Sequence, residues 1–221
     1  MNAAEVYRKT VSKEAAWARK HRGKFSVFLS SSTDPWQPLE QKYRITRQVL
    51  RALQSHPPDR LILQTHSHRM AEDWEDIESL ARRCDLRVHV SIEGDRDRLP
   101  GLPPPPCSLK DRLELIRQSV ARGFFTVACL SPLYPLTDPE AFFARLAETG
   151  LRAVILDHFI EGDGTPDGSR TQKTGLPEAM ARVEPESVHL SYRDAMVRIA
   201  RTYLPVGISA SGFAGHYHSK R

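Results

Sequence analysis

Six short apolar runs, each set apart from the next by a segment of helical period, constrain this chain more than any other feature. The runs are Phe25–Ser32 (FSVFLSSS), Arg60–His66 (RLILQTH), Leu86–Ile92 (LRVHVSI), Phe124–Leu130, Arg152–His158 (RAVILDH) and a final short one at Pro205–Ser209. Runs of this length bounded by Gly, Pro, Ser or Asp read as strands. Helical spacing fills the intervals. Val6, Val11, Ala15 and Ala18 mark a first helix stopped by Gly23; Ile45, Val49, Leu50 and Leu53 give Leu39–Leu53 one apolar side. Asp73–Arg83 carries Trp74, Ile77, Leu80 and Ala81, and Leu109–Ala121 carries Leu109, Leu113, Ile116 and Val120. Thr137 and Glu140 have capping-box spacing ahead of a helix with Phe142, Phe143 and Leu146 that Gly150 closes, and Val188–Tyr203 forms the last long helix. Strands alternating with helices of about a dozen residues predict an α/β protein of parallel βαβ units with right-handed crossovers. An open doubly wound sheet and a partial (β/α) barrel both fit. No G-x-G-x-x-G follows any strand, and no P-loop occurs.

Composition narrows the class. At 221 residues the chain makes one domain or two small ones, and 40% hydrophobic with 27% charged residues suits a packed core rather than disorder. No stretch approaches the roughly 18 apolar residues of a membrane helix, and no charged start leads into an apolar signal segment. The expectation is therefore a cytoplasmic protein with no membrane partner. The net charge of +5 is compatible with an anionic ligand or nucleic acid, and equally with a solvated surface, since no long Lys/Arg block concentrates it. Cys84, Cys107 and Cys129 are too widely spaced for a CxxC metal site, and an odd scattered set argues against a disulfide framework. No metal ligands are assigned.

In both candidate architectures ligands sit at the carboxyl ends of the strands. Those ends are polar in five consecutive strands: Ser30 to Asp34, then Thr65 to His68, then Ser91, Glu93 and Asp95, then Ser131, Pro132 and Tyr134, then Asp157 and His158. Each piece has a plainer reading. Thr-Asp-Pro is ordinary turn chemistry. His66 and His68 have metal-ligand spacing if the strand continues, or are surface histidines. Adjacent residues on a strand face opposite ways, which argues against Asp157 and His158 as a direct acid–base dyad. LPGLPPPP (Leu99 to Pro106) reads as a rigid loop or as a polyproline ligand, and the tail GHYHSKR as a mobile terminus rather than a metal site. The chemistry alone gives an α/β domain with a polar small-molecule site.

One segment is more specific. Ser30 to Arg47 (SSSTDPWQPLEQKYRITR) resembles the S-x-x-T-D-P-Y-Q-P-x-E segment of radical S-adenosylmethionine proteins of the spore photoproduct lyase-like group. Further segments agree in order: Asn2 to Val6 with N-A-P-E-[LV], Thr65 to Ser67 with T-K-S, and Val90 to Pro104 with a V-S-I-x-x-D stretch. Ser131 to Asp138 is similar to S/A-P-[LI]-x-P-x-x-D, and Asp157 to Thr171 to a later loop in one branch of the group. The resemblance implies a partial (β/α)6 barrel, with a [4Fe-4S] cluster on CxxxCxxC after the first core strand and S-adenosylmethionine as the source of a 5′-deoxyadenosyl radical. By position it implies that Ser32, Thr33 and Asp34 meet the amino or carboxylate group of S-adenosylmethionine and Ser91 its ribose or carboxylate, with His66 and Glu93 as further cofactor-binding candidates. Three departures qualify it: CxxxCxxC is missing, His66 replaces the T-K-S lysine, and Ser31 stands nearest to the lyases' hydrogen-donating cysteine.

The expectation is thus a radical-SAM-type barrel lacking its first strand and cluster loop, over residues 1–171, with a C-terminal helix and strand extension over residues 172–221. Such a chain is expected to be inactive alone, with S-adenosylmethionine cleavage belonging to a longer form. The competing expectation is a cluster-free remnant barrel that binds an adenosyl or nucleotide ligand or serves as a partner subunit. DNA binding, motivated by the net charge, is a third.

Overall fold

The computed structural model describes residues 3–29 and 33–219. Ser30, Ser31 and Ser32, with Asn2 of the first resembling segment, lie outside the described residues. The helices are α1 (Ala3–Arg22), α2 (Glu40–Tyr43), α3 (Ile45–Ser55), α4 (Trp74–Ala81), α5 (Leu109–Ala121), α6 (Pro139–Glu148), α7 (Phe159–Gly162), α8 (Leu176–Ala181), α9 (Leu190–Ala200) and α10 (Ser209–Phe213). The strands are β1 (Ser26–Leu29), β2 (Arg60–Thr65), β3 (Asp85–Ser91), β4 (Phe125–Leu130), β5 (Ala153–Leu156) and β6 (Val206–Ile208). They form one six-stranded sheet in the order β1-β2-β3-β4-β5-β6, with helices returning the chain between neighbours. Parallel register is set by Ser26↔Arg60 through Leu29↔Leu63, by Val127↔Ala153 through Leu130↔Leu156, and by Val154↔Val206 through Leu156↔Ile208. The doubly wound alternative, whose strand order would reverse at a switch point, does not occur.

The chain forms two compact units, Met1–His89 with Gly123–Phe125, and Val90–Arg122 with Thr126–Arg221. In the first, α3 turns Val49, Leu50, Ala52 and Leu53 inward beside Leu61, Leu63, Ile77 and Leu80, all buried. Ala15 and Val11 of α1 pack with Phe25. The expected single helix over Leu39–Leu53 is broken in two. Arg44 adopts a left-handed conformation at φ 51, and the buried Glu40 carboxylate accepts the N–H of Arg47 at 3.2 Å, capping α3. Ile45, expected on the apolar side, is exposed as a result of where the second helix starts.

His89 of β3 is fully enclosed. Burial, with a smaller contribution from the Arg87 charge, pushes its imidazole down to about 3. An unfolded histidine titrates near 6.5, so the unfolded chain gains a proton the folded one refuses as pH falls below that value. Stability contributed by neutral His89 is therefore present above about pH 6.5 and is lost going down, at up to about 1.4 kcal/mol per pH unit until the folded value is reached. Urea titrations at pH 7.5 and pH 5 are expected to show the loss in the parent and a much shallower one in His89→Phe.

In the second unit, Val127, Cys129, Phe143, Leu146 and Ile155 are buried, and a satellite cluster joins Leu99 to Phe159, Ala179 and Met180. The proline-rich loop is thus anchored through Leu99. Helix α6 is capped by Asp138, whose carboxylate accepts the N–H of Ala141 at 3.0 Å with Pro139 in the first turn, and not by the Thr137–Glu140 pair. Thr137 instead accepts from Arg96 at 2.6 Å, and Glu140 accepts the Tyr203 hydroxyl at 2.6 Å. The deepest positions of α5 are Arg112, Leu115, Ile116 and Ser119, while Leu109, Leu113 and Val120 are only half-buried, so the helix is rotated from its expected face.

The tail is not the loose end expected. Val206 and His218 exchange both backbone hydrogen bonds, at 3.0 and 2.9 Å, in an antiparallel bridge on the outer edge of β6. The close approach depends on glycine: a Cβ on Gly207 would lie 2.5 Å from the Gly212 Cα and 3.0 Å from the Tyr217 ring. Gly207→Ala is expected to cost about 1–3 kcal/mol by overpacking, seen as a lower urea midpoint at unchanged slope. Among the described residues no helix is long and apolar enough to cross a membrane.

Candidate functional site

Within each unit the parallel strands deliver their carboxyl ends to a rim, and the polar side chains gather there. In the first unit the centre is Asp34. Its Oδ1 accepts the N–H of Trp36 and the hydroxyl of Thr65, both at 2.8 Å, and its Oδ2 accepts the N–H of His66 at 2.6 Å with the His66 ring at 3.5 Å. Ser67 donates its N–H back to Thr65 Oγ1 at 2.9 Å. Burial pushes the Asp34 carboxyl up, but the bonds from His66, Thr65 and Trp36 outweigh it and hold it below the usual carboxylate range. The knot ties the segment after β1 to the end of β2. These bonds fit the turn reading of Asp34: the carboxylate is spent on internal donors, while Thr33 and His66 beside it are open to solvent in whole or part.

Strand β2 ends at Thr65, and His68 begins a 3-10 turn running to Asp73. His66 and His68 accordingly do not share one strand face as metal ligands would. Beside Thr33 and Asp34 lies a cleft of about 550 Å³, floored by Phe28, Leu29 and Val49 and edged by Leu39, Tyr43 and Ile45. Four of these side chains, Phe28, Leu39, Tyr43 and Ile45, are exposed large hydrophobics.

In the second unit β3 runs out at the fully buried Ser91, and Glu93 follows in a left-handed conformation at φ 51. Both are held by Arg112, which reaches up from α5 with 1% of its surface exposed. One guanidinium nitrogen donates to the Ser91 carbonyl at 3.0 Å and to the Glu93 carboxylate. Tyr134 donates its N–H to the Glu93 carbonyl at 2.9 Å, and burial together with the Glu93 charge pushes its phenol up. The chain reading missed Arg112. Its signal was present, since Arg112, Leu115, Ile116 and Ser119 stand at i, i+3, i+4 and i+7, a buried stripe carrying one charge.

Asp157 and His158 form no dyad. Asp157 accepts the Ser131 hydroxyl and the His158 N–H, each at 3.0 Å. The His158 ring accepts the Ile160 N–H on Nδ1 at 3.1 Å and meets the Ser187 carbonyl with Nε2 at 3.0 Å. Burial lowers its pKa against the opposing pull of the Ser187 carbonyl, so the ring is neutral. A Cβ on Gly162 would lie 2.7 Å from both Asp157 oxygens. That glycine lets the loop close over the carboxylate, leaving a cavity of about 60 Å³ among Ser131, Asp157, His158, Asp163 and Thr171.

The structure thus brings Thr33, Asp34 and His66 together in one unit and Ser91 and Glu93 together in the other. Ser32 lies outside the described residues. Cys84 and Cys129 do not fit an iron–sulfur cluster. Cys129 is enclosed within β4, its thiol pushed up by burial and by the charges of Glu93 and Asp157. Burial and Asp85 push Cys84 up to about 11, and its thiol donates to the Leu80 carbonyl at 3.3 Å. These are protonated thiols, whereas a cluster takes thiolates.

No protein-family model matches the chain, and no curated protein does. Among solved structures, it superposes on a spore photoproduct lyase carrying a cysteine-to-serine mutation with a TM-score of 0.56. The match spans 93% of this chain and 66% of the lyase, at 13% identity. The fold is that of spore photoproduct lyase. A spore photoproduct lyase complexed with dinucleoside spore photoproduct matches at a TM-score of 0.55 and 12% identity, over the same shares of the two chains. This chain therefore spans just under two thirds of the length of spore photoproduct lyase, and at such identities the likeness lies in the backbone.

Proposed function

We propose that this chain is a radical-SAM-type barrel of the spore photoproduct lyase-like group that binds S-adenosylmethionine at the carboxyl rim and does not cleave it unaided. The observation that carries the reading is the meeting of that fold, over 93% of the chain, with polar residues at the strand ends where the resemblance expects them. Thr33, Asp34 and His66 are the candidates from the first unit, and Ser91 and Glu93 those from the second. Bound to a [4Fe-4S] cluster, S-adenosylmethionine would supply a 5′-deoxyadenosyl radical on reduction; the cluster's thiolates would come from residues other than the three cysteines of this chain. What these residues themselves contribute is recognition. Asp34 fixes the loop that presents Thr33, and Arg112 fixes the Glu93 carboxylate as an acceptor for hydroxyl or ammonium donors.

Anaerobic isothermal titration with S-adenosylmethionine and S-adenosylhomocysteine tests the reading. Saturable binding of both is expected, weakened about tenfold or more in Glu93→Gln, in line with losing one charged hydrogen bond. Heat indistinguishable from dilution, with a folded chain by circular dichroism, would overturn it. A second reading, a partner subunit without catalysis, is favoured by the edge position of β1 and the four exposed apolar side chains beside it. Its expected result is a concentration-dependent mass by light scattering that Phe28→Lys abolishes.

A further inference from the structure

Four consecutive prolines, Pro103 to Pro106, follow Leu102 on the way from β3 to α5, and the proposed S-adenosylmethionine residues do not include them. Each proline locks its own φ near −65°. Leu102, Pro103, Pro104 and Pro105 also precede a proline, which drives each of them out of the helical range. One regular conformation is left to the segment, the extended polyproline II helix with three residues per turn. Burial repeats with that period. Leu102 and Pro105, three apart, are half-buried, while Pro103, Pro104 and Pro106 are exposed. Leu102 packs against the cluster of Leu99, Phe159, Ala179 and Met180, so one edge lies on the protein and the other two face outward. Both ends are fixed. Leu99 is fully enclosed on one side; on the other Cys107 is buried and Ser108 caps α5, accepting the N–H of Asp111 at 3.1 Å. Prolines have no N–H to donate, and among the described residues no carbonyl of Pro103 to Pro106 accepts a hydrogen bond.

We propose that the outward edges of Leu102–Pro106 dock in an aromatic-lined groove on a partner protein, with Pro103 and Pro106 as the paired proline contacts. Spaced three apart, these two share one edge and form the PxxP pattern that such grooves take. The unused carbonyls offer acceptors to donors set between the aromatic rings. From Leu102 to Pro106 the helix extends about 12 Å, at 3.1 Å per residue. Because the fold already holds both ends, docking costs little further ordering of this segment. Charge describes the margins of the groove. Arg98 and Lys110 flank the run, both exposed and in no ion pair among the described residues. The acids beside them are engaged, Asp97 with the Leu109 N–H and Asp111 with the Ser108 hydroxyl at 2.6 Å. The matching groove is therefore acidic at its ends. A second copy of this chain fits less well, since the cleft beside Phe28 and Tyr43 sets Lys42 over the Tyr43 ring at 5.2 Å. This surface does not depend on the S-adenosylmethionine reading.

The test titrates 15N-labelled SH3, WW and EVH1 domains, three kinds of polyproline groove, with the whole unlabelled chain, and follows the indole N–H signal of each groove tryptophan. Saturable shifts are expected in at least one domain. The Pro103→Ala/Pro106→Ala variant should bind it at least tenfold more weakly while keeping a cooperative urea transition. Arg98→Gln/Lys110→Gln should weaken binding severalfold and flatten its salt dependence. Pro166→Ala, at an exposed proline in another loop, should leave it unchanged. Silence of all three domains, or undiminished binding by the double proline variant, would overturn the proposal. So would a dimer mass of the chain alone that falls to the monomer in that variant, since the segment would then belong to a second copy.

Discussion

Arg112→Met is expected to lower the stability of the chain by about 3–5 kcal/mol, the largest effect of any single substitution considered. The reason is an asymmetry of burial. With Arg112 in place, the Glu93 carboxylate and the Ser91 carbonyl share one guanidinium deep under the rim. Without it, a carboxylate with only 11% of its side chain exposed loses its counterion. Such a group is far costlier than the intact pair is stabilising. The Arg112→Met/Glu93→Gln double variant removes the orphaned charge and should recover about 2 kcal/mol, measured as a coupling energy in a urea cycle. Arg112→Lys should fall between, since an ammonium restores the charge without the planar fork. Additive single losses, with no coupling, would contradict the pairing.

Asp34→Asn should cost about 2–4 kcal/mol, because one acceptor oxygen becomes a donor facing the donors of Thr65 and Trp36 or of His66. The same residue shapes the acid limb of the stability curve. Its folded pKa lies below the unfolded value of about 3.9, so the unfolded chain takes up the proton first. The stabilisation is complete above that value and disappears as pH falls through the folded one. His89 acts earlier, from about pH 6.5 downward, so the two losses are separable. An acid limb below pH 4 that persists unchanged in Asp34→Asn would rule out the knot as its source.

The strand–helix alternation was legible because each strand is a short apolar run between turn residues. Arg60–His66 and Phe124–Leu130 differ from β2 and β4 by one residue each. Features set by side chains reaching across the fold were not legible. Glu40 looks like any surface acid in Leu39–Leu53, yet buried it caps the next helix and forces the break at Arg44. Thr137 does not cap because its hydroxyl already accepts from Arg96, at 2.6 Å, and its N–H, which Glu140 would take in a capping box, goes to Asp95 at 2.5 Å. On the rim, the residues at the strand ends were readable one by one, whereas their partners were not. Arg112 lies 19 positions from Glu93 in a helix rich in charge, and only the tertiary fold reveals which of those charges faces inward. The tail was misjudged for a related reason: its bond to Val206 is a pairing between distant segments with no local signature.

The two borders of the sheet are unlike. On β6 the tail has already used the hydrogen-bonding positions of Val206, so a neighbouring molecule finds no template there. On β1, among the described residues, no strand pairs with the outer border, which carries Phe28. A molecule with one adhesive border and one stopped border can pair head to head, and the pairing then exhausts itself. Self-association of this chain should therefore end at closed twofold dimers and not run on into filaments.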